Sequence, residues 1–311
     1  MVDEVIEESG VRERRQRLLT SRLMVYYVLS SRLFTERGTT AWSALIDGLS
    51  WAACGRAGWL PPADTPAPAA SSLSEARARL GPDPFRLLFE RGCRTAAAHP
   101  AAGLAGVSVG ELAVEAPEAR LRVRVLARCD THAVLDAAVE PGADGSIPQP
   151  SGPVAVPRFA DRMLVISDGS VDDTTRRAAT AAGARLLWPA DSTVPAGRGR
   201  PLRDGSLLIE AAAGTSRQDR GFGIRVISDG AVRLATTAVD PREASREQLL
   251  RAYDDRWRVS ALDGVFPDAP TMISRARTES GLMQELYATF CVYQAVHPCG
   301  NGGSGAHPPM R

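Results

Sequence analysis

Residues 163–188 place the tightest limit on what this chain can fold into. An apolar run in "RMLVISD" gives way to "VDDTTRRAATAAGA", which has Asp172 and Asp173 at its start and Gly183 where it should stop. A second apolar run, "RLLW" (185–188), follows. The two runs have strand length, and the segment between them carries helix start and stop signals. Strands joined through a helix pair in parallel, because a crossover of that length is what parallel pairing requires. Asp168 stands where the first strand gives out, and one acid at a strand end does little chemistry alone.

The flanking segments read differently. "AGVSVGELAVEA" (105–116) and "ARLRVRVLARC" (119–129) alternate in the strand manner, and an Asp130-Thr131 corner joins the second to "HAVLDAAV" (132–139). Residues 141–157 are rich in Gly, Pro and Ser and read as a loop. Three further strand-like pieces, "GSLLIEAAA", "GFGIRVIS" and "AVRLATTAV", lie within 205–239, followed by helices over 245–262 and 279–296. Antiparallel-type strands beside a strand–helix–strand unit predict an α/β fold of mixed α+β character: a mixed sheet flanked by helices, with a β-strand insertion at about 200–240.

At the N-terminal end, residues 11–52 show two helical segments. The first carries Leu23, Val25, Tyr26, Leu29 and Phe34 behind a basic run, Arg12–Arg17, which either touches a nucleic-acid backbone or forms a solvated face. The second follows "ERGTT", where Gly38 ends one helix and Thr39 or Thr40 caps the next. Residues 58–72, rich in Pro and Ala, read as a linker, and "SEARARLGPDPFRLLFERG" as a short helical region.

Bulk properties exclude little. The formal net charge is +1, so any surface for nucleic acid must be local. All 37 basic residues are Arg, a side chain suited to bidentate phosphate contact, although a GC-rich coding bias explains the same excess. Cysteines at 54, 93, 129, 291 and 299 give neither a disulfide framework nor paired metal knuckles, and a reducing cytoplasm fits them best. Cys129 and His132 sit in a strand pattern rather than a metal half-site, and His297-Pro-Cys299 lies in a Gly/Pro-rich tail. No signal peptide is evident, and Leu23–Ser31 is far shorter than the roughly 20 apolar residues a bilayer span needs, so no membrane is expected. Residues 297–311 should be disordered.

Several stretches, taken in order, resemble one family. "RRQRLLTSRLMVYYVLSSRLF", "ARARLGPDPFRLLFE", "VRVLARCDTHAVLDAAV", "AGARLLWPADS", "LRAYDDRWRV" and "RTESGLMQELYATFCVYQAV" are similar to blocks of the insertion sequence 4 transposases. The similarity spans residues 11–296. It implies an N-terminal helical domain over 1–57, a linker over 58–72 and an RNase H-like catalytic-fold domain of the aspartate–aspartate–glutamate type over 73–296, with 297–311 as a tail. It also implies Mg²⁺ as cofactor, double-stranded DNA at transposon ends as partner, and a homodimer as one compatible assembly. Strand transfer in such proteins is an in-line displacement at phosphorus, which two metal ions about 3.5–4 Å apart activate and stabilise. Three acids must therefore converge on one point.

By that resemblance Asp168 occupies the place of the second acid and would be a metal ligand; as a local feature it is also a helix-entry residue. Gly110 stands where the first acid belongs, with Glu111 beside it. A one-residue slip turns a strand side chain to the other face, so Glu111 could substitute only if a bulge re-aims it. The third acid belongs to a helical signature of tyrosine, arginine, glutamate and lysine. Tyr253 and Arg256 match its first two members, whereas Ser260 and Pro267 fill the glutamate and lysine slots. Asp263 is the nearest remaining carboxylate. Arg14, Arg15, Tyr253, Arg256 and Arg258 are the candidate DNA- or phosphate-binding residues.

The resulting expectation is a transposase-family protein with impaired strand transfer, because two of three metal-binding acids are missing. One alternative is an active transposase with a triad re-formed from Glu111, Asp168 and Asp263. The other is a scaffold recruited as a small-molecule enzyme or regulator, with its pocket at the vacated metal site. The last fifteen residues resemble nothing in the family and are compatible with a frameshift.

Overall fold

A computed structural model describes residues 1–13, 18–33, 42–43, 45–46, 66–97, 105–116, 119–141, 158–169, 171–190, 199–210, 223–230, 232–256, 271–273 and 276–296. Its helices are α1 (Val2–Glu8), α2 (Ser21–Leu33), α3 (Ala70–Leu80), α4 (Asp83–Ala97), α5 (Asp173–Ala181), α6 (Arg246–Asp254) and α7 (Glu279–Val296). Its strands are β1 (Ala105–Ala116), β2 (Ala119–Arg128), β3 (Val134–Pro141), β4 (Met163–Ser167), β5 (Arg185–Pro189), β6 (Arg200–Pro201), β7 (Leu207–Glu210), β8 (Gly223–Ser228), β9 (Arg233–Thr236) and β10 (Thr271–Ile273).

All ten strands join one mixed sheet in the order β3-β2-β1-β4-β5-β9-β8-β7-β6, with β10 pairing β1 off that path. β1, β2 and β3 run antiparallel, while β1–β4 and β4–β5 pair in parallel. The strand–helix–strand reading of 163–188 therefore holds. The strands expected as an insertion extend the same sheet through the antiparallel pair β5–β9.

Alternation along the central strands feeds cores on both sheet faces, as parallel strands require. On one face Val107, Leu126, Val165, Leu186 and Trp188 pack with Val171 and Ala179, which belong to α5 and its approach. On the other, Leu164, Ile166, Leu187, Ile227 and Leu234 pack against Leu249 of α6. A further core joins Val114, Leu121, Val123 and Val125 to Leu23, Val28, Phe85, Phe89, Leu286 and Phe290. Helices from residues 1–97 thus share a core with the C-terminal helix α7, and α7 is apolar nearly all round because it is enclosed.

Local chemistry sets the element ends. Asp172 caps α5, accepting from Thr175 N at 2.8 Å, and Gly183 adopts φ +74° beyond its last turn. Ser245 and Gln248 form a capping box at the start of α6. Gly81, at φ +67°, followed by Pro82 divides the expected single helical region into α3 and α4.

Several boundaries differ from the sequence reading. Helix α3 begins at Ala70, inside the stretch read as linker. His132 is not in a core strand: it sits in the β2–β3 turn at φ +58°, and β3 begins at Val134. Five residues, Cys129 to Ala133, rather than two separate the strands, and His132 N donates to Arg128 O before the chain re-enters the sheet. Helix α1 and strand β10 were not anticipated; each is too short to show a period. The helix expected over 245–262 has Asp254 as its last helical residue among those described. The helix expected after "ERGTT" is described only at Trp42, Ser43, Leu45 and Ile46, all helical, and the tail 297–311 lies outside the described residues. No helix among the described residues is long and apolar enough to cross a membrane.

Candidate functional site

Val109 on β1 pairs with Ser167 on β4, so Gly110 and Asp168 are the next residues along two adjacent parallel strands. The positions that the family pattern assigns to two acids are therefore neighbours, and one of them has no side chain. Helix α6 packs beside Leu164 and Ile166, on the face next to the β4 terminus, and brings Tyr253 and Arg256 with it. Arg256 Nε donates to Asp168 Oδ1. The same guanidinium donates from Nη1 to Tyr253 O at 2.6 Å and lies 3.8 Å from the centre of the Tyr253 ring. Tyr253 O also accepts from Arg256 N at 3.4 Å, so the guanidinium adds to the backbone cap at the end of α6. The Arg256 side chain is 12% exposed and that of Asp168 44%.

A cleft of about 460 Å³ opens at this point, lined by Gly110, Arg124, Ser167, Asp168, Gly169, Asp172 and Thr175 over an apolar floor of Val109, Val165, Val171 and Leu186. Clefts outside the carboxyl ends of parallel strands are where sheets of this kind bind ligands. Arg124 of β2 reaches across to α5, donating to Thr175 Oγ1 at 3.1 Å and to Asp172 Oδ2 at 3.0 Å. Partial burial pushes the Asp172 carboxyl up, but the Thr175 N–H and hydroxyl and the Arg124 guanidinium together hold it below the usual carboxylate range.

A carboxyl depressed in the folded state adds stability that is complete above its unfolded pKa and lost as pH falls through the folded value. Asp172→Ala should therefore cost about 1–2 kcal/mol at neutral pH through the lost cap and ion pair. In urea denaturation the gap to wild type should close as pH drops below about 4.

The other sequence-predicted residues fall as follows. Glu111 lies on β1 with Arg124 as its register partner, and the β1–β2 ladder runs without a bulge from Val107 to Ala116, so nothing in it re-aims position 111. Arg14, Arg15, Arg258, Ser260, Asp263 and Pro267 lie outside the described residues. Asp168, Tyr253 and Arg256 are brought together, with Gly110 at the neighbouring strand position. Arg124 and Thr175 were missed. The available signal was an arginine in the middle of an alternating apolar strand, where a buried guanidinium must find an anion.

The donor set can be tested against the metals implied by the family. Mg²⁺ takes oxygen ligands, and a two-metal centre needs several carboxylates at one point. Among the described residues no group of three or more His, Cys, Asp or Glu is placed to hold an ion. Each described carboxylate of the cleft is matched to an arginine instead, Asp168 to Arg256 and Asp172 to Arg124. These residues do not fit a two-metal centre.

Residues 1–90 match the family described as Insertion element 4 transposase N-terminal. A search of curated proteins finds no match. Over those N-terminal residues the chain is similar to the N-terminal domain of insertion element 4 transposases.

Proposed function

We propose that this chain is a DNA-binding protein on an RNase H-like transposase scaffold that has lost strand transfer. The strand order β3-β2-β1-β4-β5, with β2 antiparallel to both neighbours and β4 reached by parallel pairing, supports the scaffold assignment. The similarity of residues 1–90 to the transposase N-terminal domain supports double-stranded DNA as the partner and a cytoplasmic site of action. The division into an N-terminal helical part and a catalytic-fold part goes with the same reading.

One observation carries the loss of activity: the retained acid, Asp168, is paired with Arg256, and the adjacent acid position is Gly110. Two unit charges 4 Å apart interact by about 1 kcal/mol in water and about 4 kcal/mol near a protein surface. A guanidinium on Asp168 therefore opposes a divalent ion at the same oxygen by a comparable amount, while the glycine supplies no second carboxylate. The triad Glu111, Asp168 and Asp263 would have to overcome both deficits.

The decisive measurement is nicking and strand transfer on duplexes carrying the element's ends, with Mg²⁺ or Mn²⁺. Wild type and Asp168→Ala should give the same background. Metal-dependent product from wild type that disappears in Asp168→Ala would restore the active-transposase reading.

A further inference from the structure

We propose that the acidic helix α1 is an autoinhibitory arm: its carboxylates occupy arginines, Arg91 above all, that would otherwise hold backbone phosphates, so the chain restrains its own DNA binding. This rests on the DNA-binding reading above and adds to it a means of regulation, away from the cleft at the sheet end.

Two faces divide α1. Val5 is fully buried and Ile6 nearly so, and Ile6 packs into the core that α2, α4 and α7 share. Asp3, Glu4, Glu7 and Glu8 form a continuous acidic face, because positions three and four apart are neighbours on a helix. Arginines reach these acids from other elements. Arg91 of α4 donates from Nη1 to Glu4 at 2.5 Å and from Nη2 to Glu8 at 2.7 Å. Arg22 of α2 lies 3.2 Å from Asp3, and Arg12, the first member of the basic run, pairs with Glu7.

These pairs are not what anchors the helix. The four carboxylate side chains are 52–68% exposed, and ion pairs so open to water add little stability. Burial of Val5 and Ile6 supplies the anchor. The consequence of the pairs is electrostatic. Four acids over three arginines leave this face with a charge of −1, where the arginines alone would give +3. The sign of a surface decides whether phosphate is drawn to it. Arg91 spends its fork on two carboxylates, the use for which phosphate oxygens compete. Its side chain is 23% exposed, so the fork is within reach of solution.

The test is binding of the full chain to a short fluorescent duplex over a series of salt concentrations. Glu4→Gln with Glu8→Gln removes the acids facing Arg91 and keeps the apolar anchor of α1. This double variant should bind about tenfold more tightly at low salt. Its slope of log affinity against log salt should steepen by about one, as one added phosphate contact requires. Adding Arg91→Gln to the pair should return both quantities to wild-type values, and Arg91→Gln alone should leave them within about twofold of wild type. Thermal melts confirm that each variant is folded. A double variant that binds no more tightly than wild type overturns the proposal while leaving DNA binding in place. So does a gain that survives Arg91→Gln, which would come from long-range charge alone. Absence of duplex binding by wild type and every variant removes the functional reading, and this inference with it.

Discussion

Glu285→Ala is expected to lower stability by about 3–5 kcal/mol, enough to unfold much of the chain at moderate temperature. Glu285 lies on α7 with a side chain only 5% exposed, and its two oxygens face Arg77 of α3 at 2.9 Å and Arg32 of α2 at 3.4 Å. Removing the carboxylate leaves both guanidinium groups partly enclosed without their anion, a larger cost than the pair's net contribution. Gln284, the preceding residue, accepts from Arg77 Nε and donates to Arg77 O and Gly81 O at the end of α3. The C-terminal helix thus fastens the helices of residues 1–97 through one buried polar junction. Glu285→Gln, which keeps the shape and one acceptor, should cost less, about 1–3 kcal/mol. Urea denaturation with a double-mutant cycle against Arg77→Ala measures the coupling. A loss under 1 kcal/mol for Glu285→Ala would show that α7 is not locked to α3 in this way.

The junction also shows what the sequence could disclose. The helix over 279–296 was legible because eighteen mostly apolar residues make too long a run for a strand. Its partners were not, because Glu285 and Arg77 lie far apart in the chain and no local pattern couples them. The same contrast holds in the sheet. Strand–helix–strand order predicted the parallel β4–β5 pair and put Asp168 at a strand end. Whether the added strands formed a separate unit or lengthened the sheet depended on β5–β9 pairing, which spans more than forty residues. At the candidate site, Gly110, Asp168, Tyr253 and Arg256 were found through the family resemblance, and register brings them together. The partner of Asp168 was invisible to that argument, because a helix running on past Arg256 would have carried the arginine onto a helical face. The chain leaves the helix after Asp254, and the freed guanidinium turns to the acid.

Arg225→Met should be comparably damaging, by about 3–5 kcal/mol, and should disturb the site as well. Arg225 of β8 is fully buried and donates to Ser206 Oγ at 2.9 Å, to Ala244 O at 2.7 Å, to Ala238 O at 3.3 Å and to Asp204. It holds the turn before β7 to the segment leading into α6. Methionine matches the length but makes none of these bonds, so two buried carbonyls and a carboxylate lose their donors. Arg225→Lys should recover little, since one ammonium cannot reach four acceptors in a planar fork. Partial burial raises the Asp204 carboxyl, but the Ser206 hydroxyl and N–H and the Arg225 charge outweigh it and hold Asp204 below the usual range. The sign follows as for Asp172: the stabilisation is complete above the unfolded pKa and disappears as pH falls through the depressed folded value. The deficit of Arg225→Met in urea denaturation should therefore be largest near pH 7 and shrink below about pH 4. Because Ala238 and Ala244 lie just before α6, loosening them also loosens the helix that presents Tyr253 and Arg256. Duplex binding by Arg225→Met should accordingly weaken at temperatures where the variant is still folded. Binding at wild-type strength would instead mean that the contacts of α6 with β4, β5, β8 and β9 hold it without Arg225.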